Sequence, residues 1–266
     1  MSIENALTEL RLTTRAEHDR IENILRLTEP MPMARYAAVM SGFDAFLRAW
    51  EPRVHAALPE RLQAWFRARR RGGFASADVE WLRSVAGVTA PAMSASAIAT
   101  IPLGDLAEVL GSLYVIESST LGGRVIAPQL KTTLGLAQGR GASYFHGFGG
   151  ETGVMWNNFR VLASLEIGES SRSTVRACQS AKRTFAALAE LFAPLAGNPP
   201  APAPAPAVVQ EIAPALLVAG GQGDAAAADA THIDLPVDAP QSDAPTLVEP
   251  PLAATADEDD TLIDLG

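Results

Sequence analysis

The stretch YVIESSTLGGRVI, residues 114–126, has the flanks of a buried helix and an unsuitable centre. Tyr114, Val115 and Ile116 lead in and Val125 and Ile126 lead out, but Ser118, Ser119, Thr120, Gly122 and Gly123 stand between them. Glycine in a helix interior costs about 1 kcal/mol relative to alanine, and Ser and Thr hydroxyls compete for the helical backbone bonds. Five poor helix formers in a core segment predict a helix bent at its middle, with a backbone that another group can approach closely. Either a bound group or a crossing helix would meet that requirement.

The segments around this stretch carry the same helical period and hardly any alternating β-branched pattern. Apolar or inward positions Leu7, Leu10, Thr14, His18, Ile21 and Leu25 predict a first helix over about 3–27. A second follows Pro32 and carries Tyr36, Met40, Phe43, Phe46, Leu47 and Trp50. Then come ERLQAWFRARRR, a helix in SADVEWLRSVAG with Ser76 as its expected N-cap, the long segment 105–134, and helices over about 151–165 and 170–195. About seven helices predict an all-α, orthogonally packed domain over residues 1–196. Cys178, Phe185, Phe192 and Trp156 are read as packing residues, and the basic run RARRRGG at 67–73 as solvated charge at a helix end.

From residue 197 onward the composition changes to Ala and Pro, with no aromatic residue and no Lys or Arg. Residues 197–266 read as a disordered, acidic Ala/Pro-rich tail. The tail outweighs the formal charge of −9 of the whole chain, which leaves residues 1–196 mildly basic. That balance suits an anionic ligand and is too weak to argue for nucleic acid. THIDLP at 231–236 and TLIDLG at 261–266 share T-x-I-D-L, which reads either as a pair of docking motifs for a partner or as chance recurrence in a biased composition. A single cysteine excludes an internal disulfide and any multi-cysteine metal site. The N-terminus lacks a signal-peptide pattern and no apolar run approaches the roughly 20 residues that span a bilayer, so a cytoplasmic protein without membrane association is expected.

No zinc helix, phosphate loop or nucleophile elbow is present. His18 draws attention because it stands on the apolar stripe, pointing inward, with Glu22 one turn on and able to orient its ring. It reads either as a core histidine or as the one protein ligand of a cofactor that supplies the rest of its own coordination, as haem does. On the second reading, Gly122 and Gly123 let the opposite helix approach the iron.

The blocks LRLTTRAEHDRIE, GSLYVIESSTLGGRVIAPQL, SYFHGFGGETGVMWNNF and AKRTFAALAELFAPL occur in the order of the bacterial haem oxygenases. The chain resembles that family over roughly residues 7–196, and especially its biliverdin-forming members associated with bacteriophytochromes. The resemblance implies a haem held between a proximal helix and a kinked distal helix, in a haem-oxygenase-like domain. It implies that His18 is the proximal iron ligand, Glu22 its hydrogen-bond partner, Gly122 and Gly123 the distal glycines, and Arg11 and Arg176 the basic residues near the propionates. The implied reaction opens haem to biliverdin, carbon monoxide and ferrous iron, using dioxygen and electrons from a ferredoxin or similar reductase. The family pattern E-G-S-x-L-G-G or E-G-S-x-L-G-A is ESSTLGG here, with Ser118 where the first distal glycine belongs. A haem sensor or carrier without catalysis, and a scaffold that retains the fold, are the other function classes open to such a chain.

Overall fold

The computed structural model describes residues 5–89, 94, 96–168 and 170–197. The remainder of the tail, with both copies of T-x-I-D-L, lies outside the described residues, as do the expectations of its disorder and of a docking partner. Among the described residues there are ten α-helices, short 3₁₀ turns and no strand, as the helical period predicts.

The first expected helix is divided in two. α1 (Asn5–Thr13) and α2 (Arg15–Leu25) meet at Thr14. The Thr13 hydroxyl donates to the Glu9 carbonyl at 2.5 Å and the Thr14 hydroxyl to the Leu10 carbonyl at 2.6 Å. This back-bonding competes with the ladder and bends the chain. Arg26 ends α2 in the left-handed region, at φ 48°.

α3 (Met33–Ala57) follows Pro32, and α4 (Glu60–Arg67) follows Pro59. α5 (Gly72–Ser84) begins five residues earlier than its sequence suggests. Ser76 is not its cap: its hydroxyl donates to Asp44 Oδ1 at 2.5 Å from inside the helix. The carboxylate of Glu51, on α3, caps α5 instead by accepting the N–H groups of Arg71 at 2.7 Å and Gly72 at 2.8 Å. A cap supplied from another helix has no local sequence signature.

The long segment opens as expected, with Asp105 accepting the N–H of Glu108 at 2.9 Å at the start of α6 (Leu106–Ser119). A 3₁₀ turn (Thr120–Gly122) then leads into α7 (Gly123–Leu134). The single turn α8 (Ser143–His146) is held by the buried Asp78, whose two oxygens accept the N–H groups of Ser143 and Tyr144 at 2.8 Å each. α9 (Thr152–Ile167) and α10 (Ser171–Phe192) complete the array.

α10 organises the packing. α6 makes the most extensive pairing with it, and α1 and α2 also lie against it. The α6–α10 crossing is close because Gly111 has no side chain: a Cβ there would lie 2.0 Å from the Ala177 carbonyl oxygen. A buried polar chain pins three helices together. Trp50 Nε1 donates to Ser112 Oγ at 2.8 Å, and Ser112 and Thr184 share a hydroxyl bond of 2.8 Å, so α3, α6 and α10 hold one register. Such a chain contributes specificity when every member is satisfied. No helix among the described residues is long and apolar enough to cross a membrane.

Candidate functional site

The break between α6 and α7 is built by hydrogen bonding as well as by composition. In a continuing α-helix the Thr120 N–H would bond the Ile116 carbonyl. It turns instead to the carbonyls of Glu117 and Ser118, which tightens the chain into the 3₁₀ turn. The Ser119 hydroxyl donates to the Ile116 carbonyl at 2.8 Å, and the Thr120 hydroxyl to the Glu117 carbonyl at 2.6 Å. Gly122 and Gly123 both have right-handed helical dihedrals. Space, not an unusual φ, is what these glycines provide.

The two glycines provide it on opposite faces. A Cβ on Gly123 would lie 2.2 Å from the Phe145 carbonyl oxygen, so Gly123 serves the close crossing of α7 with α8. Gly122 is exposed, and a Cβ there would meet only Ile126 Cδ1 at 3.7 Å. Ser118, Gly122 and Val125 follow the i, i+4, i+7 spacing of one helical face. Ser118 is half-buried and the other two are exposed, so this face is open.

Beneath the break lies a cluster whose arginines the sequence reading placed in solvent. Arg69 and Arg71, from the run 67–73, are buried. Arg71 Nη1 donates to the Ile116 carbonyl at 3.3 Å and Nη2 to the Tyr144 carbonyl at 2.9 Å, with its guanidinium 4.2 Å from the Tyr144 ring centroid. A guanidinium thus takes up a carbonyl released from the helix ladder, a recognised cause of a kink. Arg69 Nη1 pairs with Glu117 Oε1 at 3.1 Å. Burial pushes the Glu117 carboxyl above its usual range against the pull of Arg69 and Arg71, and burial pushes Arg69 down against the pull of Glu117. The sequence signal for this cluster was Glu117 itself. An acid in a run that is buried all round requires a buried cation.

His18 stands on α2 with its ring edge toward Phe185 of α10, at a centroid distance of 6.0 Å. Its side chain is 50% exposed, so it borders solvent and does not point into the core as its stripe position suggests. α2 turns Ile21, Ile24 and Leu25 inward and leaves His18 at the edge of that face. Nδ1 lies 3.7 Å from Glu22 Oε2 and 3.9 Å from Asp19 Oδ1, beyond hydrogen-bond length. Two carboxylates therefore face one ring nitrogen, and among the described residues Nε2 has no partner.

Arg11 is exposed on the last turn of α1, and its charge acts on the Tyr114 hydroxyl, whose pKa burial raises. This places α1 beside α6 one turn before Ser118, and His18 two turns beyond Arg11. Arg176 is engaged elsewhere, with Nε 2.7 Å from Asp105 Oδ2 and Nη2 2.9 Å from Glu108 Oε1. It ties the start of α10 to the start of α6, the end of α6 opposite the break. Arg176 is thus held at the end of α6 opposite Ser118 and Gly122.

α2 and α6 both pack on α10, but α2 makes no extensive pairing with α6 or with the 3₁₀ turn. The 3₁₀ turn that carries Gly122 packs on α9 as well as on α6 and α7, whereas the His18 ring meets α10 at Phe185. Gly122 leaves room on its own face, and a ring nitrogen of His18 is available on α2. The chemistry of the donors, one imidazole with two carboxylates beside its Nδ1 and a basic Arg11 on the preceding helix, fits a haem with its propionates.

Residues 73–194 match the family model described as heme oxygenase. Among solved structures, the chain is similar to the NO- and CO-bound heme oxygenase from Neisseria meningitidis, with 21% identity and a TM-score of 0.53 over 71% of this chain and 92% of that one. Comparison with curated protein sequences gives no match. The resemblance read from the sequence is borne out in family model and in fold, and neither comparison reaches the narrower likeness to biliverdin-forming members associated with bacteriophytochromes.

Proposed function

We propose that this domain, haem-oxygenase-like in sequence over residues 73–194 and haem-oxygenase-like in fold, binds haem between α2 and the α6–α7 break and opens it oxidatively. The products on this reading are biliverdin, carbon monoxide and ferrous iron, with dioxygen as oxidant and electrons from a ferredoxin or similar reductase. The observation that carries the reading is a solvent-bordering His18 imidazole, packed against α10 through Phe185, in a domain whose α6–α7 break leaves an open face at Gly122.

Haem supplies the iron at which dioxygen is activated and is itself the substrate. The chain supplies position and electrostatics. With the carboxylates of Glu22 and Asp19 beside Nδ1 at 3.7 and 3.9 Å, Nε2 is the ring nitrogen that would be offered to a haem iron. Arg11 suits a propionate by charge and fork geometry. Gly122 keeps the opposite face shallow, and the broken helix brings backbone, not bulky side chains, toward the ligand.

Ser118 adds a Cβ and a hydroxyl where the family pattern has glycine. Its hydroxyl donates to the Val115 carbonyl at 3.3 Å, a long bond that leaves the side chain half-exposed on the open face. Ser118→Gly is expected to leave haem affinity nearly unchanged and to raise the biliverdin yield of a single turnover. A barrier change of about 1.4 kcal/mol is enough to shift partitioning tenfold. Haem titration followed by product chromatography on both proteins tests this, and an equal or lower yield from the variant would rule it out. One haem per chain in the titration supports the site itself, whereas absence of stoichiometric uptake would favour a scaffold.

A further inference from the structure

We propose that Arg69 and Glu117 are a positioning pair for this site: buried beneath the α6–α7 break, they fix the rotation of the turn that presents Ser118 and Gly122 on the open face. The chemical consequence rests on the haem reading above. The structural part stands on the haem-free chain.

The Arg69 guanidinium touches three elements at once. It lies 3.7 Å from the Trp65 ring centroid on α4, pairs with Glu117 on the last turn of α6 at 3.1 Å, and donates to the Met155 carbonyl on α9 at 3.4 to 3.5 Å. Its side chain is 3% exposed and that of Glu117 is 9% exposed. Gly111 and Ser112 set the rotation of α6 upstream, but every residue from Leu113 to Glu117 is buried and apolar contact there gives the last turn little reason to prefer one rotation. Each residue advances a helix by about 100°, so a one-residue rotation would bring Ser119 in place of Ser118 to the open face. A buried ion pair is satisfied in one register only, and fixing register is the best-attested use of such groups.

The location is informative. Glu117 immediately precedes Ser118, and its carbonyl receives the Thr120 bonds that define the 3₁₀ turn. Arg71, two residues from Arg69, holds the Ile116 carbonyl. The connection between α4 and α5 therefore grips both residues before Ser118, one by its side chain and one by its backbone. The Tyr144 hydroxyl, buried beside this grip, interacts with the Ser119 side chain, so a third residue of the break is held from the same side.

The test compares the parent chain with Arg69→Met, Glu117→Gln and the double variant, because removing one partner of a buried pair is far more disruptive than neutralising both. In the haem-free full chain, the double variant should keep parental helicity while amide exchange across residues 116–124 rises at least tenfold and exchange in 177–189 stays unchanged. Parental exchange at 116–124 in a folded double variant would overturn the proposal. If the double variant does not fold, Arg69→Lys, which keeps the charge but not the fork, should raise exchange at the break severalfold at unchanged helicity, and parental exchange there would overturn it equally. With haem and carbon monoxide bound, the carbon–oxygen stretch of the variant should shift while haem affinity changes little. A parent that takes up no haem would overturn the function reading and the chemical consequence together, whereas exchange on the haem-free chain decides the positioning role alone.

Discussion

His18→Ala is expected to abolish the ferric and carbon monoxide spectra of the haem complex, whereas His55→Ala and His146→Ala leave both intact. The expectation follows from where each ring sits. His55 faces Phe66 and lies within 3.5 Å of Arg67, so its surroundings already carry a fixed positive charge. His146 closes α8 beside Asp78, whose carboxylate it stabilises electrostatically. Among the described histidines, His18 combines solvent exposure with two carboxylates toward Nδ1. Removing an iron ligand leaves haem held by apolar contact and by Arg11 only, and absorption spectra of the three variants with one equivalent of haem read the difference. Normal spectra in His18→Ala would remove the residue from the site.

The second large effect is on stability. Gly111→Ala places a methyl group 2.0 Å from the Ala177 carbonyl oxygen, a backbone atom that cannot yield without moving α10. Overpacking against backbone in a core of native density costs upward of ~3 kcal/mol, a large part of the 5–15 kcal/mol that holds a typical domain folded. A fall in melting temperature of about 10 °C, or failure to fold, is the expected result by circular dichroism. Gly73→Ala is the control. It lies in the first turn of α5 with nothing within 4 Å of the added Cβ, so the better helix propensity of alanine should leave stability equal or raised by up to ~1 kcal/mol.

Helix order was legible because apolar period and local caps are local properties, but the seven or so expected helices become ten because the first helix and the segment 105–134 each divide and α8 adds a single turn. Asp105 and Ser170 each accept an N–H three residues on, as their positions predict. Ser76 misled because the true cap of α5 comes from Glu51, about twenty residues earlier in the chain. The bend near 120 was legible from Ser, Thr and Gly, but its division of labour was not. Both the bound-group and the crossing-helix explanations hold a residue each: Gly123 serves a crossing and Gly122 faces open space. His18 was found by its residue type, and its exposure was missed because the apolar period runs unbroken through Thr14, whereas the helix divides there and α2 buries Ile21, Ile24 and Leu25 instead. Arg69 and Arg71 were missed because charge runs are ordinarily solvated, and only the buried acid at 117 indicates otherwise. Arg176 illustrates the limit of residue-by-residue transfer. Two carboxylates hold it at the far end of α6, and neither distance is visible in a linear sequence.

Aerobic turnover of the full chain loaded with one equivalent of haem, supplied with a ferredoxin and its reductase, tests the central claim most directly. The expected result is loss of the Soret band with formation of biliverdin and release of carbon monoxide, at one of each per haem consumed. A Soret band that survives repeated reduction in dioxygen, with no bilin in the chromatogram, would contradict haem opening and leave a haem carrier or sensor in its place.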